Sequence, residues 1–538
     1  MTLHRRDLTW MPTDTAVVGA QVLGETNAYR IIGEQLADLV TDEEFAGLYQ
    51  QRGRAALPPS LLALVTLFQF WEDLPDRMAA EQVVVRLDWK YALHLPLTYG
   101  GFDFSCLSYF RQRLRAHDQE RLLFDTLLRR IQAQGLLQRR RQRTDSLGVL
   151  GAVRQLSVLE LVTETLRLAL GALAAADPGW VAQEVPASFR EQYAQPRAPY
   201  RLTDRERQAA LVQTGEDGVW LLGRLDAAET AALVALDAVQ TLRTVWMQRY
   251  QVVGARVVVQ TAEVVATERI VTPHDPGVRV GQKRGKAWVG DKVHITETAE
   301  PVTPEQPNFI TDVTTAPAPS GDVGALPQIR AQLAARDLLP AEQIVDSGYV
   351  SGQQLAQSAA AGVALVGPPL PDTSPQEFKL ADFQVDRAAR RAICPQGHAA
   401  VRWRVSTERD GSQAVHIQFA AAVCAACPLR ARCTKGQGGR SLHVSEHYEV
   451  LVAHRAAAQT AAFQQEMRAR PGVEATLSEL VRGQGLRRHR YRGAQQRHME
   501  HLLKAAACNL KRLVGALVAV AQRAVGVISP YPPRAAAM

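Results

Sequence analysis

Two sets of side chains in this sequence have the type and spacing to do chemistry: the acids Asp145, Asp346 and Glu474, and the cysteines Cys394, Cys424, Cys427 and Cys433. Three carboxylates gathered in one pocket can hold two divalent cations about 3.5 to 4 Å apart, one activating a water or 3′-hydroxyl and one stabilising a leaving oxygen. Mg2+ or Mn2+ suits such a site, because hard cations prefer carboxylate and phosphate oxygens. No serine, cysteine or lysine nucleophile is then required, and Ser146 and Ser347 would orient ligands. Soon after Glu474 come Arg482, Arg487, Arg488, Arg490, Arg492 and Arg497, with His489 and His498. Cations this dense cannot neutralise one another, and they suit a polyanion. Blander readings stand beside these. Glu474 could merely complement the positive end of a helix, worth about 0.3 to 1 kcal/mol, the arginines could coat a solvated surface, and Asp145 before Ser146 could be a turn or cap residue. Glu479 is the reserve for the third acid. The C-x2-C pair Cys424 and Cys427, with Cys394 and Cys433 in reach, fits a tetrahedral structural zinc site, and His398 could replace one thiolate. Four reduced cysteines without metal, or a redox pair, are the alternatives.

The elements that must position these groups can be read from periodicity. Pro471 is pre-organised for a first helical turn, so a short helix starts there with Glu474 near its beginning. Val473, Leu477, Leu480 and Val481 give it one apolar face, and Gly483 and Gly485 give it a stop. The segment Q-I-V-D-S-G-Y-V reads as a buried strand ending in Asp346, with a helix from about Gly352 and a further strand at V-A-L-V. An acid at the carboxyl end of a strand is where open α/β sheets place their chemistry. Asp145 follows the basic run Q-R-R-R-Q-R, on a strand expected to be short because an amphipathic helix follows closely.

Elsewhere the chain divides by texture. Residues 1 to about 25 look irregular, and 1–135 reads otherwise as a helical N-terminal domain for DNA binding or dimerisation. Residues 136–369 and 454–520 read as an α/β core with a helical insertion at about 155–255, and β-branched runs after Arg256 read as strands joined by hairpins. A cysteine-rich β insertion occupies 370–453, a long helix is expected from Ala453, and 521–538 reads as a flexible tail. At 538 residues the chain can bury a substantial core; a formal net charge of +8 fits an acidic partner, and six cysteines are too few for a disulfide scaffold. The absence of a long apolar run and of a secretory leader leads one to expect a soluble, intracellular protein.

Several segments in one order carry a resemblance: R-T-D-S with A-V-R-Q-L-S-V-L-E-L-V, W-V-G-D-K-V-H-I-T-E-T, I-V-D-S-G-Y-V, the C-P-x-G-H and C-x2-C-P-L-R-x-x-C insertion, and R-P-G-V-E followed by G-L-R-R-H-R-Y-R-G. With the helical F-D-F-S-C-L-S-Y-F-R-Q-R-L they span most of the chain, which resembles a bacterial insertion-sequence transposase of the DDE class. The resemblance implies an RNase H-like mixed-sheet core and Asp145, Asp346 and Glu474 as the metal-binding catalytic triad. It implies DNA cleavage at terminal inverted repeats with strand transfer into target DNA, by a homodimer in the DNA complex, in the bacterial cytoplasm and associated with the nucleoid when bound to DNA. Lys292, Arg470, Arg482, Arg487, Arg488, Arg490 and Arg492 are the expected DNA-binding residues. The chain departs from the family pattern at Met467 and Val481, where a Tyr and a Lys are usual, and at Asp291, where an aromatic residue is usual. Asp291 could disturb DNA contact or add a carboxylate near the metals. A transposase-derived DNA-binding protein with a decayed centre, and a hydrolase of RNA or RNA–DNA hybrid, are the other functions this chemistry permits.

Overall fold

The structure is a computed structural model that describes residues 1–524 other than 9, 196–201, 227, 255, 261–263, 284, 371–375 and 409–410. Six strands form the central mixed sheet: β1 (Arg141–Leu150), β2 (Arg279–Lys283), β3 (Lys286–Thr298), β4 (Ile310–Pro317), β5 (Glu342–Ile344) and β6 (Ala364–Val366). β3 is the longest, and it pairs antiparallel with β1 along one edge and with β2 and then β4 along the other. β5 and β6 continue the sheet beyond β1, both parallel to it. Antiparallel pairs can be joined by short turns, whereas each parallel pair needs a crossover. The crossover from β5 to β6 is the helix Gly352–Ala360, as expected from the sequence.

β1 differs from its expectation. Ten residues long rather than short, it carries Asp145 in its middle, because its second half still pairs with β3 as far as Leu150 against Gly290. Three further expectations are corrected. Residues Thr13–Val22 form a helix, two helices (Tyr448–Ala457 and Ala461–Met467) replace the single long one, and β5 stops two residues before Asp346. The run after Arg256 does form a strand, but it pairs with Tyr250–Val253 in a separate hairpin rather than in the central sheet.

The dominant apolar cluster joins the helical region, from Tyr29 to Ile131, with β1, β3, β4 and the helix Ala494–Ala524. Residues 501–510 of that helix are all buried, since partners surround it on every side. The N-terminal helices are thus packed on the sheet unit through a shared core and are not merely tethered to it. The inserted helices have a core of their own, built around Leu161, Leu173, Leu221 and Trp246. A third and much smaller core of seven buried residues holds the cysteine-bearing unit together. The expected tail from 521 continues the long helix to Ala524, and 525–538 lie outside the described residues. No described helix is long and apolar enough to cross a membrane.

Candidate active site

Parallel pairing of β1 with β5 matches Arg143 to Ile344, and the same register carried two residues further sets Asp145 beside Asp346. Asp346 has extended backbone, and its side chain accepts the N–H of Gly348, capping a single turn that ends the strand. Asp145 likewise accepts the N–H of Ser146 at 2.7 Å. The third acid arrives on the helix Pro471–Gly483, with Pro471 in the first turn and Val473, Thr476, Leu477 and Leu480 buried against the sheet. Gly472 lets this helix approach closely: a Cβ there would lie 2.0 Å from the Arg143 guanidinium. Arg143 donates to Ala469 O at 2.8 Å and pairs with the wholly buried Glu297, which also holds Thr476 and Arg512. These contacts fix the helix, and hence Glu474, against β1 and β3.

The three acids meet around one cation of the chain itself. The Arg470 guanidinium lies 2.8 Å from Glu474 Oε1, 3.3 Å from Asp145 Oδ2 and 3.9 Å from Asp346 Oδ2. Side-chain exposure rises from 12 % at Asp145 to 31 % at Asp346 and 57 % at Glu474, so the cluster is a recess that opens on the Glu474 side. Burial pushes the Asp145 carboxyl above the usual carboxylate range. The Ser146 N–H and Arg470 oppose this, while the negative charges of Asp346 and Glu474 add to it. Hard oxygen donors that need a cation between them are the donor set a divalent metal requires, and the residues present fit one.

A fourth carboxylate borders the recess. Asp322, in the turn after β4, accepts the Ser146 hydroxyl at 3.0 Å and pairs with Lys292 at 3.1 Å. Next to it the Tyr349 hydroxyl sits 2.6 Å from Nδ1 of the buried His294. Little in the sequence marks Asp322, which reads as an ordinary turn residue in P-S-G-D-V-G.

The expected phosphate-binding cations separate into two groups. Arg482, Arg487, Arg488 and Arg492 are exposed and, among the described residues, form no ion pair. The loop carrying Arg487 and Arg488 lines up with the end of β1: Leu150 N donates to Arg487 O, and His489 N donates to Leu150 O. Five residues of strand separate Leu150 from Asp145, so this edge lies about 16 Å beyond the acids. Arg490, by contrast, pairs with Asp73, donates to Leu74 O and covers the Phe70 ring. Arg497 is buried between Asp275 and Asp291, Lys292 is held by Asp322 and Ser320 O, and Arg470 is held by the acids. Asp291 neither faces solvent nor joins the triad. It is buried against Arg497, which hydrogen-bonds it, and His489, 3.3 Å away, and together these outweigh the upward push of burial and hold its carboxyl below the usual range. Glu479 pairs with Lys511 and Arg512 of the long helix and is committed there.

Cys394, Cys424, Cys427 and Cys433 line one small cavity with His398 and Arg440. Burial raises the Cys433 thiol above its ordinary value; Arg440 opposes this, and the other three sulfurs add to it. The Arg440 N–H reaches Cys424 Sγ at 3.4 Å. Among the described residues, the group of three or more potential ligands whose donor atoms all lie within 4.8 Å of one another is a different one, Glu408, His416 and His443.

Two family models match the chain. One, described as a transposase DDE domain, covers residues 393–514, and the other, a transposase domain (DUF772), covers residues 19–113. The first match includes the cysteines, Glu474 and the arginine loop, and the second the N-terminal helices; Asp145 and Asp346 fall in neither. No curated protein and no solved structure matches.

Proposed function

We propose, from the premise that this chain is an insertion-sequence transposase of the DDE class, that Asp145, Asp346 and Glu474 form its catalytic centre and that it cuts the terminal inverted repeats of its element and transfers the freed strand to target DNA. The observation that carries this reading is the single guanidinium, Arg470, in contact with all three carboxylates. Carboxylates gathered this closely repel one another unless a cation stands among them. Bound Mg2+ or Mn2+ would supply activation of the attacking oxygen and stabilisation of the leaving one. The order and directions of β1, β3, β4, β5 and β6 support an RNase H-like core beneath the acids.

The remaining roles belong to residues of the chain. Asp145, the most buried acid, is held in place by the Ser146 N–H, while the exposed Glu474 can adjust as substrate arrives. Arg470 would leave the carboxylates for a phosphate beside the cut, exchanging one anionic partner for another. Arg482, Arg487, Arg488 and Arg492 would grip the DNA backbone along the edge beyond β1, which positions the duplex without reading its sequence. Lys292, released from Asp322, would add one more phosphate contact. Arg490 belongs to the fold in the DNA-free protein, since it is engaged by Asp73, Leu74 O and the Phe70 ring. The four cysteines and the Arg440 N–H suit a structural zinc site in the cysteine-bearing unit. The helical N-terminal region would contact DNA or a second copy of the chain, giving a homodimer in the DNA complex.

The test is incubation of the protein with an end-labelled duplex of the element's terminal repeat and Mg2+. Wild type should nick at the element boundary, and Asp145→Ala, Asp346→Ala and Glu474→Ala should each bind the duplex and fail to cut. Cleavage by any of the three would remove that residue from the centre, and binding by wild type without nicking would favour a DNA-binding protein with an inactive centre.

A further inference from the structure

The cysteine-bearing unit has a second concentration of metal-ligating side chains, on the face of its sheet turned away from its core. Three antiparallel strands build that sheet: Arg402–Thr407, Gln413–Gln418 and Ser441–Ser445. Val415, Ile417, Leu442 and Val444 point inward to the small core, against which Cys394, Cys424 and Cys433 also pack. Alternation along the strands then sends His416 and His443 outward. The two are registered directly opposite each other, with ring centroids 4.9 Å apart, and both are exposed. Glu408 follows the first strand, turns back through its N–H to Ser412 O, and places Oε1 3.0 Å from His443 Nε2. One ligand atom from each of the three lies within 4.8 Å of the others.

We infer that Glu408, His416 and His443 bind a divalent transition-metal ion of the zinc class, which ties the three strands of this sheet together. Two imidazoles and one carboxylate form a borderline donor set that suits Zn2+ and not Mg2+ or Ca2+, with a fourth position left for water. Metal bonds of about 2.0 to 2.2 Å place tetrahedral ligand atoms roughly 3.4 Å apart. Closing on an ion therefore needs movements of about 1 Å, which exposed side chains can make. Glu408 is hydrogen-bonded to His443, and His416 Nε2 lies 2.9 Å from the neutral Ser406 hydroxyl, a bond that would yield to the ion. The two rings also face each other across the strand pair, so one ion can draw on both.

The site gains a purpose from the size of the unit. A core of seven buried residues gives little cohesion of its own, and small scaffolds commonly use a metal as a staple. An ion held by one residue beyond the first strand and one on each of the other two would bridge all three. The four thiols, on the core side of the same sheet, form a separate set and report separately.

Zinc uptake by the full-length protein tests the assignment, with Co2+ as a spectroscopic probe in which thiolate ligands give charge-transfer bands and nitrogen or oxygen ligands do not. The His416→Ala/His443→Ala protein should take up one Zn2+ fewer than wild type at pH 7.5 and leave any thiolate bands unchanged. Glu408→Gln should weaken the same site by on the order of tenfold or more. Uptake at this site should weaken in acid, because protons compete with the metal for the ligand nitrogens. Equal uptake by wild type and the double variant would overturn the inference, and so would an unchanged affinity in Glu408→Gln, the variant that leaves both imidazoles and the fold intact.

Discussion

Replacing Arg497 with Met should unfold this protein more readily while leaving its grip on DNA phosphates intact, although Arg497 stands in a run of basic residues. The side chain is 2 % exposed, and the two carboxylates around it, Asp275 and Asp291, are 1 % and 4 % exposed. Its Nη1 reaches Asp275 at 2.5 Å and its Nε reaches Asp291 at 2.5 Å. Without the guanidinium, Asp275 keeps the Gly493 N–H at 3.1 Å and Asp291 keeps His489 at 3.3 Å as close partners among the described residues. Two buried carboxylates then face each other with too little positive charge between them. Removing one member of a buried ion network in this way costs about 3 to 5 kcal/mol. Urea denaturation of the two proteins at pH 7.5, followed by circular dichroism, reads the difference. Adding Asp275→Asn to Arg497→Met should restore part of the loss, because one uncompensated charge has gone, and a coupling of about 1 to 3 kcal/mol is expected. An unchanged midpoint for Arg497→Met, or additive losses in the double variant, would refute the claim that this arginine is spent on the fold.

The exposed arginines should behave oppositely. Arg488→Ala or Arg492→Ala should leave the denaturation midpoint in place and lower the slope of log binding constant against log salt by about 0.9 each on duplex DNA, measured by fluorescence anisotropy; an unaltered slope would remove that residue from the DNA track. Acid should loosen the packing of the long helix. Burial holds His501 well below its usual range and His498 down to about 4, with Arg121, Arg497, Lys504 and His489 adding positive charge around them and Asp291 opposing at His498. Above pH 6.5 neither folded nor unfolded imidazole carries a proton. Between 6.5 and about 4 only the unfolded chain takes one up, so stability falls as pH falls through that window, by roughly 2 kcal/mol per histidine at pH 5. Denaturation midpoints at pH 7.5 and 5 read the loss, and His498→Gln should diminish it.

Local chemistry was legible wherever it is written in adjacent residues. Pro471 and the apolar residues after it located the Glu474 helix, because a first-turn proline and a helical repeat are short-range signals. The helix from Gly352 was legible for the same reason. The strand of Asp145 reads as short in sequence, whereas it pairs with β3 from Gln142 to Leu150, and β3 lies more than a hundred residues away. Asp322 escaped notice since nothing around it in sequence distinguishes a carboxylate beside Ser146 and Lys292 from one in an ordinary turn.

By itself, then, the sequence determined the inventory: three acids on separate elements, four cysteines with metal-ligand spacing, and a basic loop behind Glu474. It also determined the local elements, whose signals lie within a few residues of one another. Only the tertiary structure decided which charges are free. Arg490 is neutralised by Asp73 and Arg497 by Asp275 and Asp291, partners supplied by distant parts of the chain, while Arg487 and Arg488, two or three positions before Arg490, find no ion-pair partner among the described residues. Burial and ion pairing depend on what folds against a side chain, and neighbours along the chain carry no record of that.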